Sequence, residues 1–295
     1  MGLIDKIRSS LPIPGRSFRH PEPAAQLLAF VLLERSATTD EVVALVNAVH
    51  GASAALGPAS AADREATPDT SAGGPVEVSL GGTTGFVLAV AAPVPDGEAE
   101  ANAANNPFWP DAAEAVARHR AHLIVSVSDR WSQDEDTASA ARDDDRDGRH
   151  TQPYAAFAHL VAGLLGHEAA VGVYLGDQGV VYEPSFYVEA VAQAGDGLPW
   201  EVAWFTWAAW EAEGVSCGST RGLRVFGHEE LEVRESTAAP SAVMDLLANV
   251  ASYVVESGAV LMPGETLGYT DDQKLTITAV QGSFVDGHAL RIGLP

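Results

Sequence analysis

Cysteine is almost missing from this chain: Cys217 is the only one in 295 residues. An internal disulfide is therefore excluded, and so is any metal cluster that needs several thiolates. Lysine is nearly as scarce. Lys6 and Lys274 are the two lysines, the remaining basic residues are arginines, and 40 acidic residues face 17 basic ones for a formal net charge of −23. A phosphate backbone is gripped by a dense basic surface, and no Lys/Arg cluster is present, so neither nucleic acid nor an anionic membrane is expected as a partner. Long apolar runs are also lacking. The longest, such as 24–33, reach about half of the ~20 residues that a membrane span needs. Leu3, Ile4, Ile7 and Leu11 suggest a short amphipathic helix that Pro12 and Pro14 end. No secretory apolar region with a small-residue cleavage site follows, and Lys6 stands where a myristoylation signal wants Ser or Thr. The cytoplasm is the expected compartment.

What is present is enough apolar material for a sizeable core: hydrophobic residues make up 46% of the chain. Two stretches cannot bury a face and read as solvated linkers. One is 56–75, rich in Ala, Ser, Pro, Asp and Gly. The other is 131–153, with Asp134-Glu135-Asp136 and then Asp143-Asp144-Asp145-Arg146-Asp147-Gly148. They divide the chain into an N-terminal segment 1–21, an N-terminal half 22–130, an acidic linker 131–153 and a C-terminal half 154–295.

In the first half, 27–33 is a compact apolar run suited to a buried strand. A helix is expected over 39–50, capped by Thr39 and apolar through Val42, Val43, Leu45, Val46 and Val49. Segments 75–80 and 84–92 form a hairpin around Gly81-Gly82. A short helix over 111–119 leads into a β-prone strand at 122–127. The order is β-α-β-β-α-β. The second half repeats it loosely: a helix at 154–165, strands at 170–175 and 180–182, and a helix whose first turn holds Pro184. Strand material follows at 223–226 and 230–233, then a long helix over 241–257 ended by Gly258, and strands at 274–280 and 288–292. The segment 201–210 fits both periods, with Trp200, Trp204 and Trp207 at helical spacing and Val202, Trp204, Thr206 and Ala208 alternating; strand is favoured. The fold class is α+β, as two related halves of β-α-β-β-α-β-like order, mainly antiparallel sheets with helices packed on one face.

Each motif that hints at chemistry lacks a part. Asp143, Asp145, Asp147 and Gly148 match the start of a calcium loop, but Tyr154 occupies the position of the bidentate glutamate. His119 and His122 have no evident third ligand, and His159 and His167 read as half-buried structural histidines. Cys217 precedes Gly218-Ser219-Thr220-Arg221, yet Leu223 stands where a cysteine phosphatase needs arginine. No nucleophile elbow, Walker loop or dinucleotide fingerprint is found, and no metal or cofactor is implied. The best polar cluster is His228-Glu229-Glu230. With Thr220, Arg221 and the Trp-rich segment around Trp204, it defines the candidate ligand-binding set: Trp204, Thr220, Arg221, His228 and Glu230. Set against this, strand alternation would turn Glu230 and Glu232 to solvent while Leu231 and Val233 point inwards.

A series of segments carries a family resemblance: Ala169-Ala170-Val171-Gly172-Val173-Tyr174, Leu198-Pro199-Trp200, Ser219-Thr220-Arg221-Gly222-Leu223, Phe226-Gly227-His228-Glu229-Glu230-Leu231-Glu232, and Gly264-Glu265-Thr266-Leu267-Gly268. Together with Ala121-His122-Leu123-Ile124-Val125-Ser126-Val127 they resemble a bacterial family, domain of unknown function 4261, over most of 22–295. The resemblance implies a fold type and no activity. The reading leans away from catalysis, towards a cytoplasmic interaction or regulatory module whose acidic surface meets a protein partner, a basic one by charge. Immunity proteins offer an analogy in size and acidity. The alternative is an enzyme or small-ligand binder sited near 220–230 and the Trp-rich segment.

Overall fold

The computed structural model describes residues 18–24, 26–56, 74–104, 106, 108–128, 151–210, 214–270 and 273–295. The aspartate-rich loop that resembles a calcium site lies outside them. The architecture is α+β, with a seven-stranded and a six-stranded sheet. Every ladder in them is antiparallel except one.

Two compact units share the chain, and they do not part at the acidic segment. Residues 25–203 form one unit, while 204–295 close with the N-terminal stretch up to Ala24 to form the other. Strands at 170–175 and 180–182, expected in a second half, join the first sheet instead.

The larger unit is built on β1 (Gln26–Leu33), β2 (Ala52–Leu56), β3 (Val76–Leu80), β4 (Thr83–Val90), β5 (Ala121–Ser128), β6 (Ala170–Leu175) and β7 (Val180–Tyr182). They lie in the order β2-β3-β4-β5-β1-β6-β7. β1 is central because its apolar run can be buried. Leu27, Ala29, Val31 and Leu33 pair in register with Val127, Val125, Leu123 and Ala121, and all eight are buried. Helices α1 (Thr39–Ala48), α4 (Gln152–Leu164) and α5 (Pro184–Ala194) pack against the sheet. From α4, Phe157, Leu160 and Leu164 are fully buried. Two further short helices, α2 (Glu98–Ala103) and α3 (Ala112–Val116), gather with Leu32, Tyr174 and Val181 into a separate core cluster. Leu32 alternates with Val31 and Leu33 along β1, so α2 and α3 stand at one end of the opposite face.

Three local expectations change. The cap of α1 is Thr38, not Thr39: Thr38 accepts from the Glu41 N–H while the Glu41 carboxylate accepts from the Thr38 N–H, a capping box. The 111–119 helix is shorter than expected, and its partner α2 was not anticipated. β2 was not anticipated either, being alanine-rich and largely exposed. The hairpin is as expected: Gly81 and Gly82 carry φ of +57° and +84°, which glycine adopts freely and which a two-residue β-turn of this hand requires.

Both edges of this sheet are closed by an asparagine. On β2 the Ala54 N–H donates to Asn47 Oδ1 at 3.0 Å. On β7 the Val181 carbonyl accepts from Asn106 Nδ2 at 2.5 Å. A short turn, α6 (Trp200–Ala203), completes the unit. Gln178 holds it by donating to the Val202 and Ala203 carbonyls at 2.9 Å each, and Tyr154 donates to the Val202 carbonyl at 2.8 Å.

The smaller unit consists of β8 (Phe205–Trp210), β9 (Ser216–Arg221), β10 (Leu231–Ser236), α7 (Pro240–Ser257), β11 (Thr266–Gly268), β12 (Lys274–Gln281) and β13 (His288–Ile292). The sheet order is β11-β12-β13-β10-β9-β8, and β10–β13 is the parallel pair. Helix α7 lies along β8, β9 and β10. It begins with Pro240 and ends at Gly258 (φ +64°), and its buried stripe is Val243, Leu246, Leu247, Val250, Ala251, Val254 and Val255. The ambiguous 201–210 segment resolves into both readings, a turn of helix to 203 and then a strand. Residues 223–226 are not a strand but a 3-10 turn, bracketed by Gly222 (φ +109°) and Gly227 (φ +80°).

Candidate functional site

The candidate residues converge on the connection between β9 and β10. β9 ends at Arg221, the 3-10 turn reverses the chain, and β10 brings a run of carboxylates back beside it. Glu230 is the hub. Its Oε2 accepts from the Thr220 hydroxyl at 2.7 Å, and its Oε1 accepts from the Gly222 N–H at 2.8 Å and the Arg224 N–H at 3.4 Å. Thr220 Oγ1 in turn accepts from the Leu231 N–H at 2.9 Å. The left-handed Gly222 turns its N–H towards the carboxylate, which thus closes the mouth of the turn. Burial pushes the Glu230 carboxyl up from the usual carboxylate range, and its hydrogen bonds to Thr220 and the two N–H groups pull the other way without cancelling it.

Glu229 and Glu232 continue the pattern. Glu229 is ion-paired with Arg224 at 2.8 Å, and the same guanidinium donates to the His288 carbonyl at 2.6 Å. Glu232 is wholly buried against Arg234, with the Arg234 Nε 2.7 Å from its Oε2. Its Oε1 accepts from the N–H groups of Ser283 and Phe284 at 2.9 and 3.0 Å. Arg234 and Arg221 donate to the carbonyls of Gln281 and Phe284 at 2.6 and 3.0 Å. Four charged side chains of the β9–β10 region therefore anchor the 281–288 connection between β12 and β13.

The expectation that Glu230 and Glu232 face solvent is overturned: they are 4% and 0% exposed. The alternation itself is right, with Leu231 and Val233 on one face and Glu232 and Arg234 on the other. The polar face is covered by the 281–288 connection. His228 donates its N–H to the Leu223 carbonyl, and its ring lies edge-on to His20, 5.9 Å away. His20 Nδ1 accepts from the Glu229 N–H, so its Nε2 carries the proton and donates to the Leu261 carbonyl at 2.8 Å. Trp204 is buried edge-on to Phe226 at the end of the 3-10 turn. The side chains of Trp207 and Trp210 in the Trp-rich segment lie outside the described ones.

All five sequence-derived residues thus belong to the smaller unit, and Thr220 and Glu230 are in direct contact. Arg224, Glu232, Arg234 and His20 were missed. The spacing of Glu232 and Arg234, two apart on one strand face, was the available signal.

Elsewhere the other motifs are accounted for by local bonding. The Val94 N–H donates to His119 Nε2, so His119 Nδ1 donates to the Val116 carbonyl and neither nitrogen is open to a metal. His122 Nδ1 donates to the Ala92 carbonyl, and burial pulls its pKa down. His159 pairs with the Gly195 carbonyl, and His167 Nδ1 accepts from Ala169. Tyr154 is a buried core residue and Cys217 is buried in β9. Among the described residues no group of three or more His, Cys, Asp or Glu side chains could hold a metal ion. Among them, too, no helix is long and apolar enough to cross a membrane.

Comparison with curated proteins and with solved structures yields no match. A family comparison does, and its span begins inside β9 and ends just past β13, enclosing the whole carboxylate–arginine network except His20. Over residues 219–293 the chain resembles the family described as Domain of unknown function (DUF4261).

Proposed function

We propose that this protein is a non-enzymatic interaction module of the cytoplasm whose acidic surface meets a basic protein partner. The observation that carries this reading is the state of the β9–β10 carboxylates. Glu229, Glu230 and Glu232 each accept from donors of their own fold. A general base needs a lone pair aimed at substrate, and these oxygens are aimed at backbone N–H groups, a hydroxyl and guanidinium groups. The charge balance supports the second part. The described residues of the larger unit hold three arginines and fifteen carboxylates. All three arginines are engaged: Arg35 with Glu41 and Glu168, Arg118 with Glu34, Arg120 with the carbonyls of Ala117 and His119.

Capture from native lysate tests the reading. The full chain should retain a stoichiometric protein at low salt and release it as ionic strength rises, because exposed charge pairs are screened. Recovering no partner at low salt would count against it. A metabolite screen by thermal shift covers the alternative: a compound that raises the Tm of the wild type but not of Trp204→Ala would make this a ligand-binding site instead.

A further inference from the structure

The outer face of the larger sheet carries an apolar strip in the middle of an otherwise polar surface. Strand registers place Phe86 and Leu28 on either side of Ser126, and Leu88, Ile124 and Phe30 in the next row. Val90 and Leu32 flank His122 in the third. Leu28 is 36% exposed, and Phe30, Phe86, Leu88, Val90 and Ile124 are half-buried. Leu32 and His122 in the third row are themselves buried, Leu32 within the α2–α3 cluster, so the accessible strip is the first two rows with Val90, about 10 Å across three strands. Two turns of helix are about 11 Å long. The opposite face shows what such a surface accepts, since α4 packs there on the same strands.

Among the described residues the strip has acidic neighbours. Glu77 is the cross-strand partner of Phe86 and is exposed. At the other side Phe30 stacks on Tyr174, whose hydroxyl lies 3.4 Å from Glu98 Oε2. Among the described residues of the unit the arginines are Arg35, Arg118 and Arg120, all of them outside the strands that carry the strip. Resting on the interaction reading above, we infer that this strip is the docking surface, and that its occupant is a basic amphipathic helix of a partner protein. Leucine- or phenylalanine-sized side chains of that helix would cover Leu28, Phe30, Leu88 and Ile124, and its lysines or arginines would meet Glu77 and Glu98. A contiguous apolar patch rimmed by charge is what association sites present.

The experiment uses the full chain and a fluorescein-labelled 14-residue Leu/Lys amphipathic peptide, with a Leu/Glu peptide of the same pattern as control, read by anisotropy at low and high salt. The Lys peptide should bind and weaken with salt, and the Glu peptide should not bind. Leu28→Lys combined with Glu77→Lys should weaken binding about tenfold, whereas Glu256→Lys on α7 should change it less than about twofold. The milder Leu28→Ser, at an exposed position that leaves the core intact, should lie between them. Equal loss in the face variants and in Glu256→Lys would mean that the peptide senses net charge alone; that overturns this surface and leaves the interaction module standing. No binding of the Lys peptide at low salt would overturn this surface, while the interaction module stands or falls on the lysate capture. Binding of the Glu peptide would overturn the charge argument. If removal of residues 1–17, which hold Leu3, Ile4, Lys6, Ile7 and Arg8, raised affinity about tenfold, the strip would belong to the chain's own segment and the external partner would be wrong.

Discussion

Glu232 and Arg234 keep 0% and 2% of their side-chain surface in contact with solvent, and a pair this deep is sensitive to losing one member. Removing either leaves an uncompensated charge and frees the 283–284 N–H groups or the Gln281 carbonyl. Glu232→Ala and Arg234→Ala should therefore each destabilise by about 3–5 kcal/mol. Replacing both with apolar residues of similar volume should cost less than either single change, and a urea-denaturation double-mutant cycle reads the difference. Glu230 gives a pH signature. Its raised pKa means that the folded chain keeps this proton when the unfolded chain has lost it. Stability should then fall as pH rises from the ordinary carboxylate value through the raised one. Glu230→Gln should flatten that slope in denaturation curves across the acidic range; an unchanged slope would rule Glu230 out as its source. None of this was legible residue by residue. Alternation along 230–233 was readable, but polarity was equated with solvent, and the cover comes from a connection about fifty residues away. A single sequence does not announce which distant loop folds over a strand.

At the scale of elements, apolar periodicity identified most strands and the long helices, because β1, β5, α4 and α7 bury whole faces. Elements that bury little escaped: β2 is Ala-Ser-Ala-Ala-Leu, and α2 is six residues long. The 223–226 stretch has strand-like residues, but Gly222 and Gly227 in left-handed conformations wind it into a turn. The α1 cap was misplaced by one residue, since two threonines adjoin and only Thr38 has Glu41 three positions on. Thr38→Ala should cost about 1 kcal/mol in thermal or chemical unfolding. The Arg35 guanidinium, with the N–H and hydroxyl of Thr38, holds Glu41 down at about 2 against an ordinary 4.5. The stabilisation from that carboxylate is present above pH 4.5 and fades as pH falls towards 2. Salt should weaken it, because the pair is exposed. The asparagine closures make a separate prediction. Asn47→Ala exposes the Ala54 N–H on an edge strand, and light scattering should show more self-association on heating than for the wild type.

For the whole molecule, the α+β class was legible and the partition was not. An acidic, apolar-poor stretch is a natural place to cut a chain, but strand pairing sets the boundary, and β6 finds its partner in β1. Each unit has its own sheet and core, so damage to one should stay local. In Glu232→Ala, amide exchange should accelerate within 216–295 while the β1–β5 ladder keeps its protection, as separate cooperative units predict. The smaller unit also takes in 18–24, where His20 bonds to Glu229 and Leu261 and the Ala24 N–H to the Val225 carbonyl. This discontinuity has a consequence for biosynthesis. The stretch holding His20 leaves the ribosome before its partners, which follow some two hundred residues later, a delay of roughly 10–40 s at ordinary elongation rates. The larger unit can therefore finish folding on the nascent chain, whereas the smaller one closes only after release of its last strands.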